Sequence, residues 1–216
     1  MYSPYPYERH AVRGALLGKV FGLLTFSFVF TLFGGVVGFA MPGLAFIAML
    51  GSLGCVFALH FVKDKAGWNL GVLYTLTFLM GMGLGPIIGF YAASAPGILS
   101  NALLVTGGLT AALGAYAWRT ERDLTKLQDY LFPALIGLVV LSLVGIFFQA
   151  TAFQLLLSAG AAVIFSGLLL VDLQRVRRVE DDSLPTAILL TVGIYLDLVN
   201  LFTAILRIMG FARNDD

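Results

Sequence analysis

Charged residues are scarce in this sequence, and cysteine is nearly absent. Only 12% of the 216 residues are charged, whereas a soluble domain carries about 25%. The net charge of +1 predicts no nucleic-acid partner. The single cysteine, Cys55, excludes an internal disulfide and any CxxC redox or zinc motif. With only two histidines, a zinc hydrolase that needs several ligands is excluded as well.

Hydrophobic residues make up 59% of the chain, and the sequence contains 25 glycines and 18 phenylalanines. Glycine and aromatic residues are favoured in transmembrane bundles. A spanning helix needs about twenty predominantly apolar residues. Seven segments meet that length, near 20–40, 44–62, 68–91, 96–118, 130–149, 152–173 and 186–210. They lack the alternation of barrel strands, so we predict an all-α integral membrane protein with seven transmembrane helices.

Almost nothing remains outside these segments. We therefore predict one membrane domain, residues 1–216, with a short N-terminal lead at 1–19 and a short tail at 211–216. The lipid bilayer is the predicted environment. No motif for a tightly bound cofactor or for an enzyme stands out; the glycine-rich "GMGLGP" lies within an apolar span and lacks the lysine of a phosphate loop.

Every lysine and arginine of the predicted loops falls on one side of the membrane. They are Arg9, Arg13 and Lys19 before the first span, then Lys63, Lys65, Arg119, Arg122, Lys126, Arg175, Arg177 and Arg178 in alternate loops. The positive-inside rule assigns that side, and the N-terminus, to the cytoplasm. The side of the C-terminus stays open, because a last segment that crosses only halfway would move it.

Two acidic residues, Asp172 in "LLLVDLQRV" and Asp197 in "IYLDLVN", lie inside apolar segments. An aspartate at a helix centre costs about 2.5–3.5 kcal/mol on insertion scales, and such residues usually face a bundle interior or a water-filled cavity. The other ten acidic residues lie in loops or tails, where solvation accounts for them. Asp172 and Asp197 are therefore the candidate functional residues.

The stretch "EDDSLPT" predicts a sharp turn between the sixth and seventh spans. Asp182 or Ser183 can cap a helix start, and Pro185 suits a first helical turn. The sixth helix would run on past the membrane through "QRVRRVE" before this turn. Asp172 and Asp197 lie about a dozen residues on either side of it, or roughly 18 Å along each helix. We predict that the two acids lie level, in the inner half of the membrane.

Two carboxylates at hydrogen-bond distance cannot both ionise cheaply, so the pair would share a proton and sense pH. The same oxygens are hard ligands that suit Ca²⁺, so protons and calcium would compete for one site. The alternative is purely structural. Arg175, one turn from Asp172, and Arg207, in the seventh span, could each neutralise one acid.

Four stretches carry a family resemblance. "IYLDLVNLFTAILRIMG" resembles the last helix of the Bax inhibitor family, the transmembrane Bax-inhibitor-motif proteins. "GMGLGPIIGFY", "GGLTAALGAYAWRTERDL" and "GLLLVDLQRV" resemble its third, fourth and sixth helices, in the right order and spacing. The match covers most of residues 70 to 212. The first two spans match only in hydrophobicity.

This resemblance implies a seven-helix fold whose last helix is central, and a pH-sensitive Ca²⁺ leak. The family's di-aspartyl sensor carries over to Asp172 and Asp197. Eukaryotic relatives are linked to suppression of cell death, and some bacterial relatives to a membrane protease, as substrate or modulator. The short chain fits a bacterial member in the inner membrane. On this hypothesis Asn200 adds a polar wall to the ion path, and Arg207 repels cations or pairs with a carbonyl.

One departure from the family concerns the basic residue that latches the acidic pair. This residue lies at the cytoplasmic end of the second helix, where the present sequence reads "LHFVKDK" without an arginine. His60 and Lys63 are the candidates. A latch through His60 would itself titrate near neutrality, although an interfacial histidine that reaches toward water is the simpler interpretation.

Other function classes remain open. An intramembrane aspartyl protease also has two membrane aspartates, but in Tyr-Asp and Gly-x-Gly-Asp contexts that "LVDL" and "YLDL" do not match. A non-transporting partner of a membrane protease and an exchanger of H⁺ for Ca²⁺ are the two remaining alternatives. The sequence leaves open whether protonation opens the path, by breaking a latch, or closes it, by removing the calcium ligands.

Overall fold

A computed structural model describes residues 6–65, 67–148 and 150–213, with side chains from Gly14 to Ala212 outside the two gaps. The described residues form seven α-helices and no strand. They are α1 (Pro6–Ala40), α2 (Ala45–Val62), α3 (Trp68–Ser94), α4 (Pro96–Arg119), α5 (Thr125–Gly145), α6 (Thr151–Arg178) and α7 (Leu184–Arg213). Each of the seven is long and apolar enough to cross a membrane. The predicted all-α, seven-helix class is confirmed.

The helix ends differ from the predicted spans mainly next to the charged loops. α1 begins at Pro6, within the stretch predicted as an N-terminal lead. α6 continues to Arg178 and α7 begins at Leu184, as the "QRVRRVE" and "EDDSLPT" stretches predict. Residues 1–5 of the lead and 214–216 of the tail lie outside the described residues.

The chain divides into two compact units. The first contains α1, α2, α3 and residues 178–195, which include the start of α7. In this unit α1 and α3 approach so closely that side chains are excluded from the contact. A Cβ atom added at Gly38 would lie 2.0 Å from the Met82 carbonyl oxygen, and one at Gly81 would lie 2.0 Å from the Thr31 carbonyl oxygen. Glycine is therefore required at both positions.

The second unit contains α4, α5, residues 151–177 of α6 and, of the described residues of α7, those from 196 to 213. Both candidate acids, Asp172 and Asp197, belong to it. α5 exposes almost its whole surface, as expected of a helix that faces lipid, with Gly145 its one buried residue. α7 is the most buried helix, because 61% of its spanning window is buried, against at most 39% in the other helices. This burial is the property expected of a central helix.

Candidate functional site

The turn between α6 and α7 is held by short-range hydrogen bonds. The Asp181 carboxylate accepts the Ser183 backbone N–H at 2.9 Å, the Ser183 hydroxyl at 2.8 Å and the Thr186 hydroxyl. Ser183 Oγ in turn accepts the Thr186 N–H at 3.4 Å, so Ser183 is the N-cap of α7. The hydrogen bonds from Thr186 and Ser183 lower the pKa of Asp181 below its ordinary value of 3.8.

Asp182, the other predicted cap, instead forms an ion pair with α1. Lys19 Nζ lies 3.3 Å from the Asp182 carboxylate and also donates to the Asp182 carbonyl. Both side chains are about two-fifths exposed, so the pair contributes at most about 1 kcal/mol. It nevertheless ties this turn to α1 within the first unit.

Asp172 lies on α6 with its charge compensated by its own helix. Its side chain is 16% exposed, and Arg175 Nη1 lies 3.3 Å from its Oδ1. Arg175 Nη2 also donates to Gln128 Oε1 of α5 at 2.6 Å. The structural alternative predicted an arginine beside each of the two acids. The arginine beside Asp172 is present in the fold.

Asp197 is deeply buried, with 6% of its surface exposed. Its Oδ2 atom accepts no hydrogen bond from the described residues, and no ion pair involves it within that part of the chain. Asp172 belongs to the same compact unit as Asp197. An unpaired buried carboxylate is costly, and such a residue in a membrane protein is a functional candidate by default.

The remaining predicted residues lie elsewhere. Asn200 donates to the Leu196 carbonyl of its own helix at 2.8 Å. Arg207 is exposed and forms no ion pair with the described residues. His60 is exposed, with Nδ1 3.0 Å from the Val56 carbonyl of its own helix, and Lys63 accepts the Asn69 side-chain N–H on its carbonyl at 2.9 Å. His60 and Lys63 belong to the first unit, and a latch through either stays a prediction.

The C-terminal end of α6 holds the α4–α5 loop through two residues whose role the sequence did not reveal. Gln174 is 2% exposed; its Oε1 accepts the Leu124 N–H and its Nε2 donates to the Arg122 carbonyl, both at 2.9 Å. Arg177 donates to the Trp118 carbonyl and, at 3.0 Å, to the Thr120 carbonyl. The sequence feature that could have indicated this contact is a glutamine in the last turns of an apolar helix.

The matched family places these residues in context. A family model described as inhibitor of apoptosis-promoting Bax1 matches residues 13–214. The chain belongs to the Bax inhibitor family. The match includes Asp172 and Asp197 and extends over the first two helices, for which the sequence offered only hydrophobicity. The resemblance drawn from the four motifs is confirmed.

Relatives of this Bax inhibitor family member occur in bacteria and in a virus. It is similar to an uncharacterized membrane protein of Vibrio cholerae, 32% identical over 214 residues that cover 97% of this chain and 95% of the relative. A Campylobacter jejuni protein is 38% identical over 159 residues, 73% of this chain and 68% of its own. A vaccinia virus protein named Golgi anti-apoptotic protein is 31% identical over 208 residues, 92% of this chain and 86% of its own.

Proposed function

We propose that this protein is a passive, proton-regulated Ca²⁺ leak in which Asp172 and Asp197 bind the ion and sense pH. The observation that carries the proposal is Asp197, whose buried Oδ2 accepts no hydrogen bond from the described residues and which lies in the same compact unit as Asp172. A protein in a membrane bears the cost of such a carboxylate when an ion or a proton uses it.

The two carboxylates differ in their surroundings, which supports a division of labour. Asp172 has a permanent cation beside it, Arg175, at 3.3 Å, which balances the charge of the carboxylate. Asp197 has no such partner in the described chain, so its charge must be balanced by a proton or by a bound cation. Competition between H⁺ and Ca²⁺ for Asp197 is the proposed basis of the pH dependence.

The ligand set favours an ion that passes rather than one that stays. Ca²⁺ takes six to eight oxygen ligands, and no three Asp, Glu, His or Cys side chains gather within the described chain to hold a metal. Two carboxylates with backbone carbonyls and water would bind Ca²⁺ loosely, which a conduction path requires. The sequence has no phosphate loop to couple transport to a nucleotide, so the proposed flow is passive.

The experiment that tests this function measures Ca²⁺ entry into proteoliposomes across a pH series. Asp172→Asn and Asp197→Asn are compared with wild type, and Asp64→Asn, an exposed loop substitution, is the matched control. A pH-dependent flux that both membrane substitutions alter, and Asp64→Asn does not, supports the leak and gives the sign of the pH effect.

Two other results would assign the protein to an alternative. Ca²⁺ entry that stops without an opposing proton gradient would indicate an H⁺/Ca²⁺ exchanger. No flux above empty vesicles, with the protein shown to be folded, would contradict transport and favour a non-transporting partner of a membrane protease.

We also propose that the protein lies in a bacterial inner membrane with its N-terminus in the cytoplasm. All predicted loop lysines and arginines then lie in the cytoplasm. In a Cys55→Ala background, an impermeant thiol reagent added to intact cells should label Phe147→Cys and spare Asp64→Cys. The reverse labelling pattern would invert the topology.

A further inference from the structure

Arg207 is a charged side chain in the apolar second half of α7. The apolar stretch "IMGFA" separates it from Arg213 and the charged tail. The side chain is exposed, and it forms neither an ion pair nor a hydrogen bond with a described residue. An arginine without a partner is costly inside a membrane. We therefore expect its acceptor to come from outside the described chain.

The position of Arg207 along α7 sets its depth in the bilayer. The helix ends at Arg213, and the tail after it contains two aspartates, which are stable in water rather than in lipid. Arg207 precedes Arg213 by six residues, or about 9 Å along the helix axis. The headgroup layer is about 5–8 Å deep on each side of the hydrocarbon core. The backbone of Arg207 therefore lies near the boundary between acyl chains and headgroups, from which a long side chain can reach the headgroups.

Arg207 belongs to one face of α7 within the second unit. Residues three and four apart share a helix face, and this face comprises Leu196, Asn200, Thr203, Arg207 and Phe211. All five are half-buried or exposed, whereas Leu201, Ala204 and Ile205 are buried. Asn200 and Thr203 donate to carbonyls of α7 itself. Arg207 is thus the charged group on an otherwise neutral face of the helix that is open to its surroundings.

The chemistry of the guanidinium group narrows the choice of partner. It is planar and cationic, and it carries several N–H donors in a fixed arrangement. Two of these donors can bond to two oxygens of one phosphate at the same time. Phosphate is the anion that phospholipid headgroups share. Both the charge of Arg207 and its depth therefore favour a lipid phosphate as the partner.

We propose that Arg207 binds the phosphate of a phospholipid at the membrane surface where α7 ends. This partner differs from the two predicted from the sequence, a repelled cation and a backbone carbonyl. The bound lipid would fix the depth of the second half of α7 in the membrane. The proposal does not depend on the Ca²⁺ leak, because lipid binding can be measured whether or not the protein conducts an ion.

The test titrates the purified full chain in detergent with two phospholipids and counts bound lipid by native mass spectrometry. Phosphatidylglycerol is anionic and phosphatidylcholine is zwitterionic, but both contain the phosphate. For both lipids, Arg207→Gln should weaken the tightest binding step by about tenfold or more, because it removes charge-assisted hydrogen bonds. Arg207→Lys keeps the charge but loses the two-point contact, so its affinity should lie between those of wild type and Arg207→Gln.

Lys65→Gln, at an exposed lysine in the α2–α3 loop, is the matched control for the loss of one positive charge and should bind both lipids as wild type does. Equal lipid affinities of wild type and Arg207→Gln would overturn the proposal. A loss confined to phosphatidylglycerol would also overturn it, since the site would then respond to net charge rather than to phosphate.

Two further results complete the test. Free inorganic phosphate at millimolar concentration should leave lipid binding unchanged, and displacement of the tightest lipid by it would assign the site to free phosphate instead. If Arg207→Gln fails to fold, Arg207→Lys decides the question. A lysine variant that binds lipid as tightly as wild type would contradict the two-point contact with phosphate.

Discussion

Arg175 lies between Asp172 and Gln128, with one guanidinium nitrogen 3.3 Å from the carboxylate and the other 2.6 Å from the amide oxygen. The arginine is therefore held at both ends, by its own helix and by α5. Asp172 has a fixed cation, whereas Asp197 has none among the described residues. Within the second unit, the basic residue beside Asp172 is Arg175 of α6, and a latch from α2 stays a prediction.

Removal of this cation should make Asp172 more available to calcium. On the proposed function, Arg175→Gln should increase Ca²⁺ flux at a given pH by up to about fivefold, which corresponds to about 1 kcal/mol for a half-exposed ion pair. Arg175→Lys keeps the charge and should stay close to wild type. A fall in flux in Arg175→Gln alone would mean that the arginine holds the path open, which contradicts competition with Ca²⁺.

A second prediction concerns the α4–α5 loop, whose backbone Gln174 holds. Gln174→Ala removes the hydrogen bonds that this side chain makes with the Leu124 N–H and the Arg122 carbonyl, and each such bond is worth about 0.5–1.5 kcal/mol. The loop should open more often, so trypsin should cleave after Arg122 several times faster than in wild type. Cleavage after Lys65, in the α2–α3 loop, serves as the internal control. An equal increase at both sites would indicate general unfolding.

Much of this fold could be predicted, because a backbone in lipid must satisfy its own hydrogen bonds and long apolar runs therefore become helices. The turn after α6 was also predictable from local chemistry, since serine and proline have strong positional preferences at a helix start. The role of each residue in the turn could not be predicted. Ser183 caps the helix while Asp181 holds the turn, and Asp182 pairs with Lys19 far away along the chain.

The surroundings of Asp172 and Asp197 could be predicted from the sequence only in part. Arg175 is three residues from Asp172 on one helix, so its contact could be read from spacing. The direction in which Arg207 points could not, and it is exposed. Gln174 was missed because it bonds to a backbone carbonyl 52 residues away. Every residue has a backbone carbonyl, so the sequence does not show which carbonyl a side chain will bind.

A third prediction tests the close approach of α1 and α3. Gly38→Ala would place a methyl group 2.0 Å from the Met82 carbonyl oxygen, so the helices must separate at a cost of about 1–3 kcal/mol. Thermal unfolding in detergent should show a midpoint lower by roughly 2–4 °C per kcal/mol. Gly22→Ala is the control on the same helix, because a Cβ there meets nothing within 4 Å. Equal stability of the two variants would rule out the tight contact.

The last prediction uses the pH dependence of the α6–α7 turn. In Asp181→Asn, an amide N–H₂ would face donors in place of the carboxylate oxygen that accepts the Ser183 and Thr186 hydroxyls. The variant should therefore unfold at a lower temperature than wild type at pH 7. Hydrogen bonds lower the pKa of Asp181 below 3.8 in the folded protein, so the carboxylate stabilises the fold above that pH. This stabilisation is lost as the pH falls through the folded pKa.

The difference in unfolding temperature should accordingly be constant above about pH 5 and shrink as the pH falls below the ordinary pKa of about 4. Asp64→Asn, at another exposed aspartate in a loop, controls for the loss of one negative charge. A difference in unfolding temperature that stays the same at low pH would contradict this prediction. A protonated carboxyl and an amide would then differ in their effect on stability as much as a carboxylate and an amide do, so Asp181 would act through its shape alone.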